Sequence, residues 1–247
     1  MEKICLMYHD VYISHASESG LASDLYKLDV IQFEKQLKIL QELKRQNIEA
    51  VLTFDDGGSS FYCPIADLLD KYGFKGIFFI ATSYVNTPGF VTDSQLQEME
   101  QRGHVIGSHS HSHPENLASL TKEQIAKEWL DSVNVLASIL GHEVKIASVP
   151  NGYMSKNVIS GAKEAGIEEL YTSEPSTSTK KVTGIMTHGR FVVLNNTTQE
   201  DLRNICTNDF YRKKMLLRSK VLSIPKYILG NKYETVKNLL LNQNESN

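Results

Sequence analysis

Four short stretches hold the residue types that do chemistry: Tyr8-His9-Asp10, Thr53-Phe54-Asp55-Asp56-Gly57, Ser108-His109-Ser110-His111-Ser112-His113-Pro114 and Val149-Pro150-Asn151-Gly152. The second follows the apolar run Ala50-Val51-Leu52, so it reads as a strand that ends in two adjacent carboxylates. The third sets imidazoles four apart, at His109 and His113, after the apolar pair Val105-Ile106. Two imidazoles and one carboxylate make a three-ligand set for a divalent metal and leave a place for water. The spare carboxylate beside them is placed to act as general base on that water. Taken singly, each stretch has a plainer reading. Asp-Asp-Gly-Gly is good turn chemistry, and the histidines could be a surface cluster. Together they are more specific, because a parallel α/β sheet or barrel collects the carboxyl ends of its strands on one face. His111 falls on the other side of its segment from His109 and His113.

The elements that must position these groups alternate between strand-like and helix-like, which predicts an α/β architecture with a parallel sheet. Strands are expected at 4–9, 50–54, 76–80, 105–107, 144–149, 168–172 and 185–193. Ile31, Phe33, Leu37, Leu40 and Leu43 recur at helical spacing within 31–46. Further helices are expected near 62–72, closed by Gly73, from Thr92-Asp93 to about Arg102, from Thr121 to Leu140, and at 155–165. Thr121 with Gln124 is a capping box, and Gly103, Gly141 and Gly166 are stop signals. Residues 174–181 read as an exposed loop.

With these stretches in place, the sequence resembles the polysaccharide deacetylases of the NodB-homology type, carbohydrate esterase family four, from about residue 4 to about residue 193. Thr53 to Gly57 and Ser108 to Pro114 look like that family's first two motifs. Phe33-Glu34-Lys35-Gln36-Leu37, Phe78-Phe79 and Gly103-His104-Val105-Ile106-Gly107 match its wording around them. The resemblance implies a distorted (β/α) barrel with fewer than eight full units, and hydrolysis of an N-acetyl or, less often, an O-acetyl group on a sugar. It also implies that Asp56, His109 and His113 bind a divalent metal, zinc first, and that Asp55 is the general base. Asn151, after Pro150, would supply the backbone donor for the oxyanion. His188, in Ile185-Met186-Thr187-His188, stands where the family places its general acid. The family's third motif has an arginine before its proline, and Ala147-Ser148-Val149-Pro150 has none. Arg190, on the same side as His188 by strand alternation, is a candidate for that place and for the substrate side. The fourth motif's Asp-Trp is replaced by Tyr171-Thr172-Ser173-Glu174-Pro175, and the single tryptophan, Trp129, lies elsewhere. His9 and Asp10 end the first strand and should face the same mouth, with His9 either a rim residue or a substrate contact.

Composition bounds the rest. The 247 residues can form one core; 41% are hydrophobic, 22% charged, and the net charge is −3, which gives no argument for nucleic acid binding. Nothing approaches the roughly 20 apolar residues of a membrane span. The first residues look like a strand and not a signal sequence, so a cytoplasmic enzyme acting on an acetylated sugar or oligosaccharide precursor is expected. Cys5, Cys63 and Cys206 have no metal-site or disulfide spacing, and reduced thiols are expected. We divide the chain into a catalytic domain, 1–198, and a basic helical extension, 199–247. Between Asn204 and Lys237 the extension has eight Lys or Arg against two acidic residues. That segment is either a solvated helix face or a surface for anionic lipid headgroups. Two other functions compete with a deacetylase: a non-haem iron oxygenase, which the alternating elements disfavour, and a non-catalytic carbohydrate-binding relative that keeps the metal site.

Overall fold

A computed structural model describes residues 4–15 and 19–229, with side chains to Val221. Residues 1–3, 16–18 and 230–247, the last within the expected extension, lie outside the described residues. The strands are β1 (Ile4–Tyr8), β2 (Val11–Tyr12), β3 (Leu28–Asp29), β4 (Ala50–Phe54), β5 (Gly76–Ile80), β6 (Val105–Ser108), β7 (Ile146–Ser148), β8 (Glu169–Tyr171), β9 (Thr179–Val182), β10 (Ile185–His188) and β11 (Phe191–Val192). The helices are α1 (Val30–Arg45), α2 (Asp67–Tyr72), α3 (Asp93–Gln101), α4 (Lys122–Leu140), α5 (Lys156–Glu164), α6 (Gln199–Thr207) and α7 (Asp209–Leu229). Nine strands form one curled sheet in the order β11-β1-β4-β5-β6-β7-β8-β10-β9, parallel except for the β9–β10 hairpin.

Alternation along the strands sorts side chains into two layers. One face sends Leu6, Tyr8, Leu52, Phe54, Phe78, Ile80 and Ile106 against the helices, in a core shared with Phe33, Phe61 and Leu96. Phe54 stacks between Tyr8 and Phe78, with ring centroids 5.4 and 4.8 Å away. Truncating such a ring costs about 3–5 kcal/mol. The other face sends Cys5, Phe79 and Tyr171 into the barrel, and Thr53 and Asp55 follow the same alternation.

Helix ends match the sequence signals. Thr92 and Thr121 form complete capping boxes, and Gly73 and Gly141 end their helices in the left-handed conformation. Three expectations are corrected. The helix near 62–72 is interrupted, because Pro64 biases Cys63 to an extended conformation (φ −140°, ψ 122°). The loop 174–181 contains the start of β9, which pairs with β10 and so gains backbone partners on one side. The strand read as 185–193 is two strands far apart in the sheet order: β10 pairs with β8 and β9, and β11, at the other edge, pairs with β1. Only Gly189 and Arg190 lie between them, so two residues carry the chain from one to the other. A Cβ on Gly189 would meet the Ser176 and Glu174 carbonyl oxygens at 2.4 and 2.7 Å, which explains the glycine. Among the described residues, no helix is long and apolar enough to cross a membrane. The three cysteines are free thiols.

His104 gives a test of the core. It is buried, its Nδ1 accepts from the Gly76 N–H at 3.2 Å, and its Nε2 lies 3.5 Å from Asp70. Burial pushes its pKa down from 6.5 to about 4. The unfolded chain therefore takes up this proton first, and stability falls as pH drops from about 6.5 to about 4, by up to about 3 kcal/mol from this group. His104→Gln keeps an acceptor for Gly76 and should flatten the acid limb of thermal midpoint against pH. An unchanged difference between pH 7 and 4.5 would remove His104 as its source.

Candidate active site

Asp55 and Asp56 close β4, and their being neighbours poses a geometric problem. Adjacent strand residues point to opposite faces, yet both carboxylates meet the same histidine. His109 Nε2 lies 3.4 Å from Asp56 Oδ1 and 3.9 Å from Asp55 Oδ2. The solution is the backbone of Asp56, whose φ of 94° breaks the alternation directly after Asp55. Left-handed backbone is costly for a residue with a Cβ and persists where surrounding contacts fix it. Here the Asp55 N–H donates to the Tyr8 carbonyl, and the Asp56 carbonyl accepts from Ala81.

The second motif is a loop after β6. The His109 N–H donates to the Ile80 carbonyl at 2.8 Å, and its Nδ1 is held by the Ser148 hydroxyl and carbonyl, which leaves Nε2 aimed at Asp56. His113 has φ 54° and points its Nε2 at Asp56 Oδ1, also 3.4 Å away. The motif serines hold the turn: Ser110 Oγ accepts from the His113 N–H, and Ser108 Oγ accepts from the Ser110 N–H. The donor atoms of Asp56, His109 and His113 all lie within 4.8 Å of one another. A tetrahedral metal with bonds of about 2.05 Å separates its donors by about 3.3 Å, which both 3.4 Å spacings to Asp56 match. The residues fit a divalent metal.

Arg190 completes the other half of the site. It is fully buried, and its Nη1 and Nη2 donate to Asp55 Oδ1 and Oδ2 at 2.6 and 2.7 Å. Its Nε donates to the Thr172 carbonyl, Nη1 also donates to Thr53 Oγ1, and its guanidinium lies over the Phe79 ring. Ser148 Oγ donates to Asp55 Oδ1 at 3.2 Å. Burial alone would raise the Asp55 carboxyl, but the charges of Arg190 and His109 outweigh it and hold the group below the usual carboxylate range. Asp56 is lower still: burial opposes this, and the hydrogen bonds from His109 and His113 prevail. Asp55 is thus kept ionised, with its oxygens fixed by a planar fork. The guanidinium takes the place expected for the missing third-motif arginine, and the residue also lines a groove beside Thr172 and Gly189.

His188, expected as the general acid, makes its contacts with β8 and β9. It is buried at the end of β10, but its Nε2 lies 3.0 Å from Glu169 Oε2 and its Nδ1 3.1 Å from Thr179 Oγ1. Its ring stacks on Tyr171. Glu169 is the first residue of β8. His9, in contrast, follows β1 beside the carboxylates: its charge lowers both Asp55 and Asp56. Its ring packs edge-on to Tyr26, and its buried Nδ1 has no hydrogen-bond partner among the described residues. Asp10 is turned away and held by Ser19 and Ser60. His111 bonds Thr82. Pro150 is buried, and Asn151, with φ 54°, stands on the rim of a groove of about 1130 Å³ with Gly152, Ser173 and Glu174. Trp129 is a core residue that donates to the Val158 carbonyl.

Sequence reasoning missed two groups. Ser148 is one; a serine in an apolar strand carries no signal of its own. The other is Glu128 on α4, whose Oε2 accepts from the His111 and Ser112 N–H groups at 3.0 and 2.8 Å while Oε1 meets Ser112 Oγ at 2.6 Å. It fastens the loop that delivers His113. Groups that orient ligands typically change metal affinity by about 10–100-fold when lost. Glu128→Ala should weaken metal binding on that scale, and Glu128→Gln, which keeps an acceptor for both N–H groups, should restore most of it. Equal titration curves for all three proteins would deny Glu128 this role.

Fold and site define a class: a curled βα barrel with a buried Asp-His-His cluster and an arginine-held second aspartate at the carboxyl ends of its strands. The polysaccharide deacetylase family model matches residues 42–170, and the chain belongs to that family. Peptidoglycan-N-acetylmuramic acid deacetylase PdaA of Bacillus subtilis is 35% identical over 127 residues, covering 49% of this chain and 45% of that protein. Peptidoglycan-N-acetylglucosamine deacetylase PgdA of Listeria monocytogenes is 29% identical over 161 residues, covering 61% and 33%. The matches span about half the length of the first curated relatives, or less. Among solved structures, the fold is similar to Streptococcus pyogenes deacetylase PplD in complex with acetate (TM-score 0.71, 20% identity, covering 83% of this chain and 98% of that one). It is equally similar to the polysaccharide deacetylase BC0361 of Bacillus cereus (TM-score 0.71, 20% identity, covering 84% and 69%).

Proposed function

We propose that the chain is a metal-dependent deacetylase that removes an acetyl group, N-acetyl first, from a sugar or polysaccharide precursor. The observation that carries this reading is the pairing of a fixed, ionised Asp55 with a three-donor metal cluster whose His109 Nε2 lies 3.9 Å from Asp55 Oδ2. The names of PdaA and PgdA, which specify N-acetylated peptidoglycan sugars, agree with it. Asp56, His109 and His113 would hold the metal, with zinc the first candidate. A divalent ion there supplies Lewis-acid polarisation of the acetyl carbonyl and lowers the pKa of water. Asp55 accepts the proton of the attacking water, and Arg190 keeps the carboxylate in line. Asn151, beside Pro150 on the rim, offers its N–H to the developing oxyanion. The Asp55–Arg190 pair speaks against a non-catalytic relative, since a metal site alone needs no fixed spare carboxylate. Release of acetate from N-acetylglucosamine oligomers and acetylated glycan precursors tests the reading. Stoichiometric zinc with no acetate from any of them would return the non-catalytic alternative.

Expulsion of an amine needs a proton, and with His188 facing Glu169 we assign that donor to His9. His9→Ala should lower N-acetyl hydrolysis by about 10²-fold and hydrolysis of an activated acetyl ester far less. His188→Ala should change both rates only a few-fold. The reverse ranking of the two variants would reinstate His188.

A further inference from the structure

Among its described side chains, helix α7 has two apolar faces about 120° apart, and only one packs on the core. Tyr211 and Met215 pack on the main core, and the Tyr211 hydroxyl donates to Asp201 at 2.7 Å. Phe210, Leu217 and Val221 face away and are 77%, 66% and 57% exposed. At 100° per residue these three fall within an arc of about 40°. Lys213 and Lys214, both exposed, flank the arc on either side. Single exposed apolar residues are ordinary; an aligned stripe on one helix face marks an interaction surface.

The charge on the helix selects the occupant. Between Asp209 and Val221 stand five Lys or Arg against one acidic residue, in a chain whose net charge is −3. A second copy docked through this stripe would set lysines against lysines. An anionic bilayer surface takes both the apolar arc and its basic flanks, the pattern of an interfacial helix. We propose that the outward face of α7 seats the protein on an anionic lipid surface. The inner side of the same helix lines the groove through Tyr211, Met215 and Arg218, and that groove continues to Asn151, Ser173 and Glu174. One helix therefore joins the lipid-facing surface to the groove that Asn151 and Arg190 also line.

Co-sedimentation of the full chain with phosphatidylcholine vesicles and with phosphatidylcholine–phosphatidylglycerol vesicles tests this. Partition should be at least about tenfold stronger onto the anionic vesicles and should fall with added salt. Lys213→Glu/Lys214→Glu should lose about tenfold or more of it, as should Phe210→Ser/Leu217→Ser, with thermal midpoints unchanged. If the apolar variant does not fold, the lysine variant decides alone. No partition, or equal partition onto both vesicles, overturns the proposal. So does a concentration-dependent dimer abolished by Phe210→Ser/Leu217→Ser without vesicle binding, which would make the stripe a self-association face.

Discussion

Replacing His113 by alanine should remove both metal binding and the proposed acetate-releasing activity, while the fold survives. Asp56 Oδ1 faces His109 and His113 at the same 3.4 Å, so loss of either imidazole leaves two donors where three protein ligands are the norm for a catalytic site. The loop does not depend on the imidazole. Ser110, Glu128 and the Ser83-to-His111 backbone hydrogen bond hold it from outside the cluster. Metal content after dialysis and the thermal midpoint of the metal-free protein separate the two effects. Chelation of the unmodified protein should abolish activity, and added zinc should restore it. Stoichiometric metal in purified His113→Ala would take His113 out of the ligand set.

Asp55→Asn should cut turnover by about 10³-fold and retain the metal, because the proton acceptor is lost and the ligand set is not. A second effect follows from burial. Arg190 is fully buried against this carboxylate, and removing one partner of a buried ion pair costs about 3–5 kcal/mol by stranding the other charge. Asp55→Asn should therefore lower the urea midpoint sharply, and so should Arg190→Met. The double variant should recover part of that stability and none of the activity, since it leaves no unpaired charge and no base. Additive losses of stability would show that the two side chains act independently. Near-normal turnover in Arg190→Met would separate the arginine from the base.

What could be read from the sequence was whatever a local pattern determines. The Ala50-Val51-Leu52 run delivers Asp55 and Asp56 to a strand end, and the histidines follow their own short strand, so the parallel sheet brings the two together. Thr121 with Gln124 and Thr92 with Gln95 mark helix starts through contacts three residues apart. What was misread depends on distant contacts. Ile185 to Val193 is uniformly strand-like, and nothing within it announces that β10 and β11 lie far apart in the strand order. That break decides that Arg190 turns to Asp55 and His188 to Glu169. Glu128 lies on the solvent side of an amphipathic helix by pattern; only the fold brings the histidine loop to it. The φ of 94° at Asp56 had no glycine to signal it, because surrounding hydrogen bonds and not residue type impose it.

The two-residue crossing at Gly189 and Arg190 also sets an order of events during synthesis. Asp55 and Arg190 are 135 residues apart, and the metal-ligand set is complete once His113 has been made. A nascent chain that ends before Arg190 has Asp56, His109 and His113 but leaves Asp55 without its counter-charge. On the proposed function, the metal ligands are thus made well before the pair that would hold the base.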